Sequence, residues 1–406
     1  MKSAHVFDVV VVGGGPSGAT AASVLARQGH RVALLDRAGR VKPCGGAVPP
    51  ILINEFQIPD ELIVAKVNSA RMISPKGRAV DMPIDGGYVG MVDREHFDEW
   101  LRIRANDAGA ERVTGTYKKI SRENDVVTVH YETRGVTGEK SEATLQTKLV
   151  IGADGALSQV GRQEVPGADR LKYVFAYHEI VRAPKADAVA NPACDSTSYD
   201  AKRCDVYYQG PVSPDFYGWI FPHGDTMSIG TGSANKGFSL RGSVAEMRKA
   251  CGMSELETIR HEGAPIPMKP LKRWDNGRDV LLAGDASGVV APASGEGIYY
   301  AMLGGQLAGE AAALCLTTGE ASALKNARKK FMKAHGRVFW ILGIMQSFWY
   351  SSDKRRERFV TMCADPDVQR LTWQAYMHKK LVKAEPMAHV RIFLKDMAHL
   401  TGFARS

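Results

Sequence analysis

The chain has 406 residues, 44% of them hydrophobic and 24% charged, an ordinary globular balance that suits two or three domains. Six cysteines are scattered without a CxxC pair and eleven histidines show no HExxH spacing, which argues against a disulfide framework, a zinc knuckle or any metal site. The formal net charge of +9 is uneven: from residue 321 onward 17 Lys+Arg face 6 Asp+Glu, so the basic character belongs to the C-terminal stretch. No nucleic-acid motif accompanies it, which leaves anionic lipid or an acidic partner as the fitting counterpart.

The first apolar run, Val9–Val12, is shorter than the core of an export signal. No window approaches the roughly twenty apolar residues of a membrane-spanning helix, so a cytoplasmic location is expected. DVVVVGGGPSGATAASVLARQGHRVALLD, residues 8–36, predicts strand, tight turn, helix and strand. Gly13 permits the turn, Gly15 lets the backbone approach a pyrophosphate, and Gly18 lets the helix pack on the strand. The helix start, with Ser17 in its first turn, offers N–H groups and a positive dipole end to phosphates. Asp36, followed by Arg37, stands where a carboxylate accepts ribose hydroxyls. This fingerprint alone does not separate FAD from NAD.

Next, VKPCGGAVPP, residues 41–50, sets Cys44 before Gly45 and Gly46, with a nucleophile and a plain loop thiol both open. VDREHFDEWL carries Arg94 on a predicted helix. LVIGADGALSQVGR, residues 149–162, is an apolar strand ending at Asp154-Gly155. FYGWIFPHGDTMSIGTGS, residues 216–233, predicts a hairpin turning at 222–225. Tyr217, Trp219 and Phe221 alternate onto one face, either as core or as a substrate wall. GTGSAN at 230–235 reads as a strand end, so no second nucleotide-binding domain is expected.

DVLLAGDASGVVAPASGEGIYYAM, residues 279–302, is a strand ending at Gly284-Asp285, a loop, and a helix that starts near Gly295. Asp285 can accept a ribityl hydroxyl, and amides at Gly295, Glu296, Gly297 and Ile298 can stabilise negative charge on a reduced flavin. Finally, Lys325, Arg328, Lys329, Lys330, Lys333 and Arg337 precede the apolar run 338–350, and Lys354, Arg355, Arg356 and Arg358 follow it. Together with Trp340, Trp349 and Tyr350, they suit a segment lying on a membrane; a core helix or a subunit contact is the competing reading.

The ordered trio GxGxxG, GADG and GDAxG…PxxGEG resembles the FAD-dependent oxidoreductases of the p-hydroxybenzoate hydroxylase fold. That resemblance implies an α/β chain with a discontinuous Rossmann-like FAD-binding domain at 1–70, 91–170 and 271–320. It implies an inserted antiparallel substrate sheet at 71–90 and 171–270, followed by a basic helical region at 321–406. Arg94, Asp154 and Gly155 are then expected beside the cofactor, as is the Cys44–Gly46 loop. A nicotinamide donor, NADPH, would visit the same cleft transiently.

KPCGGAVPP and PDFYGWIFPHGD narrow the resemblance to the geranylgeranyl reductases, with similarity along the chain to their bacteriochlorophyll branch. The implied substrate is a prenylated tetrapyrrole whose geranylgeranyl tail becomes phytyl in three steps at a photosynthetic membrane. Reduction of geranylgeranyl diphosphate or of prenyl lipids, a FAD monooxygenase or epoxidase, and a non-catalytic flavin-bearing scaffold are the alternatives. Nothing sets the oligomeric state. An isolated prenyl alkene has no carbonyl to polarise it, so hydride from flavin N5 must be matched by an acid at the other carbon. A free thiol, with an ordinary pKa of about 8.5, stays protonated and tolerates an apolar pocket. Cys44 is therefore expected to donate that proton or to position the donor. Gly45 and Gly46 are expected to clear room for the flavin ring.

Overall fold

Four consecutive buried valines, Val9 to Val12, put β1 (Phe7–Val12) at the centre of a sheet covered on both faces. The computed structural model describes residues 6–37, 39, 41–123, 126–135, 138–184 and 199–379. It divides into two units, the first made of Met1–Cys44, Arg94–Tyr173 and Pro265–Trp340. There β1 pairs in parallel with β2 (Val32–Asp36) and with β11 (Lys140–Gly152). Beyond β2 lies β8 (Glu111–Thr114), and β17 (Val280–Leu282) runs parallel to the end of β11. The earlier part of β11 pairs antiparallel with β10 (Val126–Arg134), which pairs with β9 (Thr116–Glu123).

Helices α1 (Pro16–Arg27), α3 (Arg94–Asp107), α4 (Gln159–Glu164) and α6 (Ile298–Thr318) complete this unit with the first part of α7 (Lys325–Trp349). Gly305 and Gly309 let α6 touch the α1 backbone: a Cβ on Gly305 would overlap the Ser17 carbonyl, and one on Gly309 would lie 3.2 Å from the Ala21 oxygen. Trp274, Tyr300, Phe331 and Phe339 form an aromatic cluster beneath α6, with Tyr300 and Phe339 rings 4.9 Å apart.

The second unit comprises Gly45–Asp93, Val174–Ala264 and Ile341–Ser406. Its small sheet has the order β3 (Ala47–Val48), β7 (Val89–Val92), β4 (Ile63–Val67), all antiparallel. Its large sheet has the order β16 (Thr258–Pro267), β12 (Tyr173–Arg182), β15 (Thr226–Ser233), β14 (Gly218–His223), β13 (Arg203–Tyr207), β5 (Ser69–Ile73), β6 (Ala79–Pro83). The β12–β15–β14–β13 run is antiparallel, whereas β13 pairs with β5 in parallel. Helices α2 (Pro50–Glu55), α5 (Leu240–Ala250), α8 (Asp353–Met362) and α9 (Pro366–His378) belong here too.

The unit boundaries differ from the expected domain limits. The first crossing falls at the Cys44–Gly45 bond rather than near residue 70, because β3 and β4 pair with β7. In the C-terminal stretch, α7 carries both the first basic cluster and the apolar run in one 25-residue helix. Residues 380–406 of that stretch lie outside the described residues.

Candidate functional site

Gly13, with φ of +105°, closes the turn after β1, and a Cβ there would overlap the Ala153 carbonyl. Gly18 likewise packs against the Gly13 carbonyl, so strand, turn and helix lie in direct backbone contact. Gly15 is different: no atom lies within 4 Å of where its Cβ would stand. It caps α1 without a side-chain hydrogen bond, and the buried Ser17 hydroxyl beside it has no partner among the described residues. An open glycine, an uncapped helix start and an orphaned hydroxyl fit the pyrophosphate of FAD.

Asp36 ends β2 with its carboxylate 2.6 Å from where a Gly14 Cβ would stand, which excludes any side chain at the middle glycine of the run. Burial raises its pKa, opposed by the backbone N–H groups of Gly14 and Arg37 and by the nearby Arg102 charge. Arg102 lies 3.5 Å from the Asp36 carboxylate, donates to the Gly14 carbonyl at 3.3 Å and is fixed by Glu99 at 2.8 Å. Asp36, Arg37, Glu99, Arg102 and Thr114 line a cleft of about 480 Å³. Sequence reasoning passed over Arg102. The signal was present as Arg94, Asp98 and Arg102 at i, i+4 and i+8, one face of α3.

The other expected contacts divide. Asp285 is buried and pairs with Lys42, which stands two residues before Cys44. Gly295 has φ of +64°, and Gly297 caps α6 without a side-chain bond, leaving the Ile298 end open to an anion. Gly284 also has φ of +64° and packs on Ser17. Asp154, by contrast, caps α4: it accepts from Ser158 Oγ at 2.5 Å and from the Gln159 and Val160 amides at 2.6 and 3.2 Å. The carboxylate thus fixes the start of the helix. The neighbouring Gly155 has φ of +87° and open space where a Cβ would stand.

Arg94 is buried and donates from Nε and Nη2 to Asp98 at 2.8 and 2.7 Å. Burial works against its charge, but the Asp98 carboxylate and the Cys44 sulfur more than offset it, and the guanidinium hydrogen-bonds to Cys44 as well. The thiol therefore faces a cation held by a carboxylate, where an apolar wall was expected.

Across the Cys44–Gly45 bond, within the second unit, the glycines have protein neighbours. A Gly45 Cβ would lie 3.2 Å from the Phe221 ring. A Gly46 Cβ would lie 2.5 Å from the Val92 oxygen and 2.6 Å from His223 Nε2. The room these glycines make is taken by β7 and β14.

Tyr217, Trp219 and Phe221 share one face, with successive ring centroids 6.0 and 6.1 Å apart. Gly230 stands opposite Trp219 because any Cβ there would overlap the indole. Trp219 Nε1 donates to Ser228 Oγ at 3.0 Å, Ser228 meets His178 Nδ1 at 2.8 Å, and His178 Nε2 lies 3.1 Å from Glu262. Glu262 also pairs with Arg260 at 2.6 Å. Tyr217 and Trp219 are buried, while Phe221 keeps an opening and joins Trp373, Tyr376 and Met377 around the Val67, Ile84, Val89 and Met91 cluster. None of this polar network was read from the sequence, because it joins the β14–β15 hairpin to β12 and β16, which lie well before and after it in the chain.

The pyridine nucleotide-disulphide oxidoreductase family model matches residues 7–192. A geranylgeranyl diphosphate reductase of Rhodobacter capsulatus is 57% identical over 396 residues, covering 98% of each chain. One from Synechocystis is 36% identical over 411 residues, covering 97% of this chain and 98% of its own. Among solved structures, a geranylgeranyl bacteriochlorophyll reductase-like protein from Thermoplasma acidophilum superposes with a TM-score of 0.78 at 21% identity, covering 95% of this chain and all of that one. The fold is thus that of the expected flavoproteins, and full-length identity of this degree settles the lineage. This chain belongs to the geranylgeranyl reductase family of FAD-dependent oxidoreductases.

Proposed function

We propose that the protein saturates isolated double bonds of a geranylgeranyl chain carried by a (bacterio)chlorophyll headgroup, in three successive steps with NADPH as the electron source. The observation that carries the reading is the Cys44 thiol fixed by the Arg94–Asp98 pair, in the same unit as the glycine-rich nucleotide turn. Gly15, Ser17, Asp36 and the starts of α1 and α6 would hold FAD, which when bound supplies the hydride for one alkene carbon. Cys44 holds at Sγ the proton for the other carbon, so C=C becomes CH–CH. The Arg94 guanidinium stabilises the sulfur anion until water restores its proton. Tyr217, Trp219 and Phe221 provide the apolar face that suits a hydrocarbon tail.

The name of the Rhodobacter capsulatus relative favours geranylgeranyl diphosphate as the second reading. Both are tested by supplying NADPH and either substrate to the purified holoprotein without oxygen. Stepwise gain of hydrogen pairs on the pigment is expected. Gain on the diphosphate alone selects the second reading, and an oxygen-dependent product defeats both.

We also infer peripheral contact with an anionic, photosynthetic membrane through α7. Lys333, Arg337, Trp340 and Ile344 recur on one exposed helix face, and no helix among the described residues is long and apolar enough to cross a membrane.

A further inference from the structure

The row Tyr217, Trp219, Phe221 has a fourth member, His223, at the end of β14. Its Nδ1 lies 3.1 Å from the Phe221 carbonyl on its own strand. Its Nε2 points the other way, to the Gly45–Gly46 corner, 2.6 Å from where a Gly46 Cβ would stand, and the Gly45 backbone favours a proton on the ring. Gly46, with φ of +73°, is the residue that lets the imidazole come this close. The Gly46 carbonyl in turn accepts from the Val92 amide at 2.9 Å, so strand pairing holds one side of the corner and His223 the other.

We propose that His223 is a positioning residue for Cys44, holding the adjoining Gly45–Gly46 corner through a hydrogen bond from Nε2 to the Gly45 carbonyl. The proposal rests on the functional reading above and extends it to a residue outside the flavin motifs. Burial pushes the imidazole pKa down to about 4, with Asp93 favouring and His178 opposing the charge. The neutral ring carries one proton between two carbonyls, so only the tautomer protonated at Nε2 grips the corner. Asp93 and His178 belong to the Arg260–Glu262 network, Asp93 through Arg260 and His178 through Glu262, so burial and not this network keeps His223 neutral.

Two amide substitutions separate the contacts. In His223→Gln the side-chain nitrogen can take the place of Nε2 and reach Gly45. In His223→Asn it can take only the place of Nδ1 and serve Phe221. The readouts, on FAD-loaded protein, are alkylation of Cys44 by iodoacetamide followed at the peptide level, flavin reduction by NADPH, and prenyl-alkene hydrogenation. We expect His223→Asn to alkylate about fivefold faster than wild type and to hydrogenate about tenfold more slowly, with flavin reduction within twofold. His223→Gln should stay within about threefold on all three. Equal behaviour of the two variants overturns the proposal, as does flavin reduction falling in step with hydrogenation. If wild type hydrogenates no prenyl substrate, the functional reading fails, and the alkylation comparison alone still judges His223.

Discussion

A cysteine between Lys-Pro and Gly-Gly says little by itself; its meaning comes from Arg94, fifty positions further on, which holds both Asp98 and the Cys44 sulfur. If Cys44 delivers a proton, Cys44→Ala should lower alkene hydrogenation about 100-fold while FAD content and flavin reduction by NADPH stay unchanged. Cys44→Ser, whose hydroxyl is the weaker acid, should fall between. Turnover near wild type in both variants removes the acid role. At this scale the residues legible in the sequence were those whose job is fixed by near neighbours. Gly13, Gly15, Gly18 and Asp36 sit in one strand–turn–helix–strand stretch, and their spacing carries their geometry. Lys42 and His223 were not legible because their partners, Asp285 and Gly45, come from distant segments. The capping role of Asp154 was not legible either: a carboxylate after a strand looks the same whether or not it fixes the helix that follows.

Among elements, β1 and the β14–β15 hairpin were visible because burial imposes a continuous apolar run on one and alternation on the other. The small β3–β7–β4 sheet was not, since the two residues of β3 are too few to show any period. Nor does periodicity reveal what fastens β9, α4 and β17 together. Arg122 of β9 donates to both Asp279 oxygens at 2.8 Å, just before β17, and to Glu164 of α4 at 2.5 Å. Burial alone would raise the Asp279 pKa, but Arg122 and Asn276 bring it below the ordinary carboxylate value. A folded-state pKa below the unfolded one adds stability above the unfolded pKa, and that stability is lost as pH falls through the folded value. Arg122→Met should therefore cost about 2 kcal/mol at pH 7. The gap from wild type should narrow below about pH 4, as read by urea unfolding at both pH values. A gap equal at neutral and acid pH would show that Arg122 contributes packing rather than charge.

For the whole molecule, composition placed the positive charge in the C-terminal stretch but did not tell which cations are available. Arg356 is buried, with the Pro214 and Tyr350 carbonyls and Asp353 around it; Arg328 donates to the Leu271 carbonyl, and Lys330 pairs with Glu310. Trp349 and Tyr350 are likewise buried rather than set at a boundary, and Tyr350 packs against Tyr208 and Phe359. What remains is narrower and better defined. Trp340 is 67% and Ile344 48% exposed, on the α7 face that carries Lys333 and Arg337. Cations attract an anionic surface over a distance that salt shortens from about 30 Å at 0.01 M to 3 Å at 1 M, whereas an inserted indole is indifferent to salt. Membrane docking through this face therefore predicts two separable losses in vesicle co-sedimentation. High salt, or Lys333→Gln with Arg337→Gln, should abolish the preference for anionic over neutral vesicles. Trp340→Ala with Ile344→Ala should weaken binding to both by about tenfold or more. The same stripe can instead be covered by a second copy of the chain, and sedimentation velocity distinguishes the two occupants. If the apolar double variant turns a dimer into a monomer and vesicle binding does not change, the face belongs to the partner subunit and not to lipid.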